Sequence, residues 1–116
     1  MKPSELDQLL IEIFQVNPKN TERHVFKVCN LKILKLRDVL VQIGHICQEN
    51  LEKQEYVATM GAGFRKANIA YLAMRLEEDK LYISINAKEG FVNQHTCKGA
   101  IHELKKKLGE YVEGEE

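Results

Sequence analysis

The chain has 116 residues, 44% of them apolar, with 17 basic side chains balanced by 17 acidic ones. A chain of that size forms one domain over 1–116 that buries a core without metal or disulfide staples, and zero net charge excludes a global field toward nucleic acid or an anionic membrane. Three cysteines, an odd number, and a start "MKPSELD" without an apolar stretch point to a reducing, cytoplasmic setting.

Pro3 and Ser4 open an amphipathic helix in which Leu6, Leu9, Leu10, Ile13 and Phe14 recur at helical spacing until Asn17-Pro18 stops it. "RHVFKVC" (23–29) is rich in β-branched and aromatic residues and reads as a strand. Ile33, Leu36, Leu40, Ile43 and Cys47 then recur at steps of three and four, which predicts a longer helix from Lys32 to Glu52. Tyr56 to Met60 is expected to be a short strand ended by glycines. "NIAYLAMRL" and "KLYISINAK" flank the polar turn Glu77-Glu78-Asp79, and Leu81, Ile83 and Ile85 alternate with Tyr82, Ser84 and Asn86, the pattern of an antiparallel hairpin with one buried face. In "HTCKGAIHELKKKLGEYV" a stripe of Cys97, Ala100, Ile101, Leu104, Leu108 and Tyr111 predicts a last helix, with residues 113–116 left as a frayed acidic tail.

Helices with one apolar stripe beside a sheet with one alternating face imply an α+β, two-layer sandwich: an antiparallel sheet of three or four strands packed by three helices. An open sheet edge would be completed by a second copy. If no helix covers the other side of the hairpin, Tyr82, Ser84 and Asn86 form an exposed interface surface.

The stretch "NQHTCKGAIH" (93–102) offers His95, Cys97 and His102. On a helix Cys97 and His102 point apart by about 140°, and His95 and His102 share a face but stand about 10 Å apart along the axis, so neither pair chelates one ion. His45 and Cys47 would point to opposite sides of the second helix, with Cys47 buried. Cys97 in the first turn of a helix beside His95 is the one position suited to a reactive thiol, yet no third group to orient a base is visible. No metal or cofactor is implied. Gly61 and Gly63 followed by Arg65 and Lys66 have the composition of an anion-cradling loop, but the next segment reads as a strand where such loops feed a helix. Glu77, Glu78 and Asp79 read as solvated charges at a turn, and Lys105, Lys106 and Lys107 as cations suited to a helix C-terminus.

Within the neutral total, residues 19–37 carry Lys19, Arg23, Lys27, Lys32, Lys35 and Arg37 against Glu22. With Arg65 and Lys66 alongside, Arg23, Lys27, Lys32 and Lys35 would form a nucleic-acid footprint. From Glu55 to Leu108 the order of strand, glycine break, hairpin, loop and lysine-bearing helix resembles the strand-strand-strand-helix half of a double-stranded RNA-binding domain. That family grips phosphate with a Ser-Lys-Lys helix start, where this chain has only Lys98. The leading expectation is a non-catalytic binding domain that self-associates and meets a protein partner. A nucleic-acid module is the second, and a small-ligand binder or enzyme using Gly61-Gly63 with His95 or Cys97 the third.

Overall fold

In the computed structural model, which describes residues 2–62, 68–88 and 95–116 with side chains from Glu5 onward, the first amphipathic segment forms helix α1 (Lys2–Phe14). Leu6 and Leu10, four apart and thus stacked on one face, are fully buried. Strand β1 (Thr21–Val28) follows a short 3-10 turn at Pro18–Asn20, whose Asn17 side chain accepts the Lys19 backbone N–H. Helix α2 (Ile33–Ile43) is succeeded by strands β2 (Gly44–Asn50), β3 (Glu55–Ala62), β4 (Asn68–Glu77) and β5 (Lys80–Ala87). Helix α3 (Thr96–Leu108), a 3-10 turn and strand β6 (Val112–Glu115) close the chain.

The α+β class and the three helices are as expected, but the antiparallel sheet has six strands, ordered β2-β3-β4-β5-β1-β6, where three or four were predicted. Two segments account for the difference. The second helix stops at Ile43 and the chain continues directly as β2, paired with β3 from Gly44 opposite Met60 to Asn50 opposite Glu55. Gly44 permits this, because a Cβ there would stand 2.1 Å from the Thr59 carbonyl oxygen. The acidic end is likewise no frayed tail: β6 pairs with β1, with Glu115 opposite Phe26.

The sheet carries helices on both faces, so the two-layer expectation also gives way. Leu81, Ile83 and Ile85 of β5 join Tyr56, Leu72 and Met74 in a core shared with Leu36 and Leu40 of α2 and Leu104 of α3. On the opposite face Val57 and Ala73 form a floor of small residues on which Leu6 and Leu10 rest, with Phe14 against the Tyr71 ring at 4.6 Å.

Because α1 lies there, the polar side of the hairpin is not a solvated surface. Ser84 and Asn86 are buried and Tyr82 is half-buried, so the expected Tyr82–Ser84–Asn86 interface is corrected: α1 occupies that face. Their polarity is satisfied internally. Ser84 Oγ donates to Asp7 Oδ1 at 2.5 Å, and Asn86 Nδ2 donates to Asn17 O at 2.8 Å and Thr21 Oγ1 at 2.9 Å. A second polar tether joins α1 to β3 and β4, where buried Arg75 donates to Glu55 Oε2 at 2.7 Å and to Glu5 Oε2 at 3.1 Å. Burial opposes the Arg75 charge, but these carboxylates keep its guanidinium above its ordinary pKa. No described helix is long and apolar enough to cross a membrane.

Candidate functional site

Alternation along β1 sends Phe26 and Val28 into the core shared with α3, and His24 lies on the same side of the strand. Across from it, α3 carries Lys98, His102 and Lys105 at successive steps of four and three, a spacing that sets them in one stripe, and His95 immediately precedes the helix. The turn at Pro18–Asn20 brings Lys19 to the same opening. Between these elements lies a groove of about 660 Å³, floored by Ala87, Cys97 and Ile101.

One end of the groove is electrically closed. His24 Nδ1 lies 2.7 Å from Glu115 Oε2 and His24 Nε2 lies 3.2 Å from Glu22 Oε1, while Lys105 Nζ reaches Glu115 Oε1 at 3.1 Å. The hydrogen bond to His24, and after it the one from Lys105, hold the Glu115 carboxyl below the usual carboxylate range against the opposing effect of burial. Lys105 also stands over the Phe26 ring, 5.5 Å from its centroid. At the other end, by the start of α3, the Nζ groups of Lys19 and Lys98 have no side-chain partner among the described residues.

Several residues singled out from sequence meet here. His95 and Cys97 both line the groove, and Cys97 is buried, with its thiol 4.0 Å from the Ile85 carbonyl oxygen. His95, and not Thr96, holds the position before the helix, with φ 52°, and Thr96 Oγ1 accepts from Asn68 Nδ2 at 3.0 Å. Among the described residues no three His, Cys, Asp or Glu side chains come together to hold a metal ion. His45 and Cys47 are elsewhere, both exposed on β2, which overturns the expected burial of Cys47 because the helix that would have buried it ends at Ile43. Gly61 belongs to β3, whereas Gly63, Arg65 and Lys66 lie outside the described residues.

The basic segment is divided. Arg23 and Lys27 face the α1 side of β1, and Arg23 Nε donates to Asp7 Oδ2 at 2.8 Å. Lys32 and Lys35 are exposed at the start of α2, on the opposite side of the sheet, and Arg37 donates to Glu49 at 2.7 Å. The pairing of His24 with Glu115 had only half a signal in the sequence: His24 alternates with Phe26, but nothing announces Glu115, 91 residues away.

A second surface surrounds β2. It is the outermost strand, with no described strand on its free side and a bulge between Ile46 and Gln48. Leu34 (62% exposed) and Val41 (57%), seven apart on α2 and so on one face, are exposed on the helix that leads directly into β2, and Leu51 (54%) follows the strand in the next turn. The Arg37–Glu49 pair fastens α2 to this strand. No family model matches the chain, and no curated protein or solved structure matches it either.

Proposed function

We propose that the chain is a small non-catalytic binding domain that self-associates, and meets a protein partner, through the β2 edge and the outer side of α2. The observation that carries this reading is the open seven-residue edge strand that continues directly from α2, whose Leu34 and Val41 are exposed. An edge strand offers a row of backbone donors and acceptors to another chain, and apolar side chains flanking it supply the burial that pairing alone lacks. A two-fold arrangement of β2 against β2 would join two sheets into one and bring both α2 helices to the seam. Three free cysteines fit a reducing, cytoplasmic setting.

Less favours a nucleic-acid module. The cations of segment 19–37 are divided between the two faces of the sheet, and Arg23 and Arg37 are already paired with carboxylates.

Sedimentation equilibrium of the wild type and of a Leu34→Asp/Val41→Asp double variant tests the proposal. The wild type is expected to dimerise in the micromolar range and the variant, altered only at exposed positions, to remain folded and monomeric. A monomeric wild type, or a variant that dimerises equally well, sinks the reading.

A further inference from the structure

We propose that a second copy docks on β2 one residue out of full overlap, with Gly44 of each copy opposite Glu49 of the other and His45 opposite Gln48. This register rests on the self-association reading above and adds to it the alignment of the partner.

The bulge sets the alignment. Before it, Gly44, His45 and Ile46 pair with Met60, Thr59 and Ala58 of β3; after it, Gln48, Glu49 and Asn50 pair with Val57, Tyr56 and Glu55, and Cys47 is the extra residue. Residues directly opposite on antiparallel strands point to the same face. Met60 and Tyr56 belong to the core under α2 and α3, whereas Val57 supports α1. Gly44, Ile46 and Glu49 therefore lie on the α2 side of the sheet, and His45, Gln48 and Asn50 on the α1 side. In keeping with this, Ile46 packs against the α2 core, and Arg37 of α2 donates to Glu49 at 2.7 Å.

A two-fold axis normal to the sheet keeps each face continuous across the seam, so a residue can oppose only one from its own side. Full overlap, centred on Cys47, violates this: His45 would oppose Glu49, Ile46 would oppose Gln48, and Gly44 would oppose Asn50. Pairing that avoids the bulge leaves only Gly44 to Ile46, or Gln48 to Asn50 with Glu49 facing Glu49 across the axis. A slip of one residue restores the faces over most of the strand, and Glu49 decides its direction. One direction sets that carboxylate against half-buried Ile46. The other sets it against Gly44, which has no side chain, so the Arg37–Glu49 pair stays undisturbed. The same direction brings His45 to Gln48, whose amide oxygen can accept a ring N–H.

Paired cysteines test the register in a Cys29→Ser/Cys47→Ser chain, where the remaining Cys97 is buried. Directly opposed residues on antiparallel strands stand about 4.5 to 5.5 Å apart at Cα, within reach of a disulfide. Within one copy His45 and Gln48 are roughly 9 Å apart along the strand, too far to bridge. His45→Cys/Gln48→Cys, His45→Cys/Glu49→Cys and His45→Cys/Asn50→Cys report the proposed slip, full overlap and the opposite slip. Each is oxidised with glutathione disulfide, which accepts the thiol electrons, and read by non-reducing electrophoresis. A covalent dimer of doubled mass is expected from the Gln48 pair and monomer from the other two. A stronger dimer from the Glu49 or Asn50 pair overturns the register. No crosslink from any pair, while the wild type sediments as a dimer, overturns the register alone. A wild type that sediments as a monomer overturns the self-association reading itself, and the register with it.

Discussion

The two edges of the sheet are built on opposite principles. β6 is four residues long, its sequence "VEGE" alternates charge with small or apolar residues, and the acids at and after its end are held by ion pairs: Glu115 with His24 and Lys105, and Glu116 with Lys80. Short length and charge are the usual means of blunting an edge. β2 is seven residues long, its one acid is Glu49, already joined to Arg37, and the exposed Leu51 follows it directly. The bulge between Ile46 and Gln48 twists β2 locally but leaves the strand long enough to pair. One edge is therefore blunted by charge, and the other is a longer strand with no described strand on its free side.

Breaking the β2 edge at its origin should have the largest effect. Gly44→Ala places a methyl group 2.1 Å from the Thr59 carbonyl oxygen, backbone against backbone, so β2 must shift away from β3. A loss of about 3 kcal/mol in urea unfolding is expected, with a larger loss of amide protection in β2 than in β5. Equal loss throughout the sheet would mean that β2 is not a separable edge.

A smaller effect is expected from Tyr56→Phe. The Tyr56 hydroxyl donates to Ile33 O at 3.0 Å and ties the start of α2 to β3, beneath the proposed association surface. Burial pushes this phenol above its usual pKa, as an enclosed hydroxyl requires. Its removal should cost about 1 kcal/mol by chemical denaturation. If the Leu34 and Val41 face is the seam, the variant should also dimerise less well.

The smallest effect is expected at β6, as a pH dependence. Hydrogen bonds from His24, first, and Lys105 hold the Glu115 carboxyl below its ordinary pKa, so this carboxylate adds stability that is fully present above the pKa it has in the unfolded chain. That contribution is lost as pH falls through its depressed folded value. Hydrogen exchange of the Glu116 amide, bonded to Val25 O at 2.8 Å, should therefore quicken relative to β5 under acid, and Glu115→Gln should remove the difference. An acid response unchanged by that substitution would show that other groups hold β6.

Much of the fold was legible. The leucine spacing of α1, the alternation in β5 and the stripe from Cys97 each report a period set by the residues themselves, and each element appears where it was expected, although the last helix ends at Leu108 and Tyr111 falls in the 3-10 turn after it. The second helix was read too long for a specific reason. Ile43, Ile46 and Cys47 satisfy a helical period, yet Ile46 meets the core from a strand, and only pairing with β3 decides between the two. Ser84 and Asn86 misled in another way: polar residues on one side of a strand ordinarily mean solvent, but here Asp7, Asn17 and Thr21 supply their hydrogen bonds. Of the groove, His95 and Cys97 are visible as a motif, and the alternation of His24 with Phe26 sets both on one side of β1.

The sequence by itself determined the α+β class, the three amphipathic helices, the β4–β5 hairpin and the inward turn of Cys97, because these follow from interactions within a few residues along the chain. The tertiary structure alone decided that Gly44 starts a strand, that the acidic end becomes β6, that α1 covers a polar sheet face, and that His24 meets Glu115. Each of these depends on a partner remote in sequence. A backbone edge or a buried polar group acquires its energy only when that partner is placed, and no local period records where it will be.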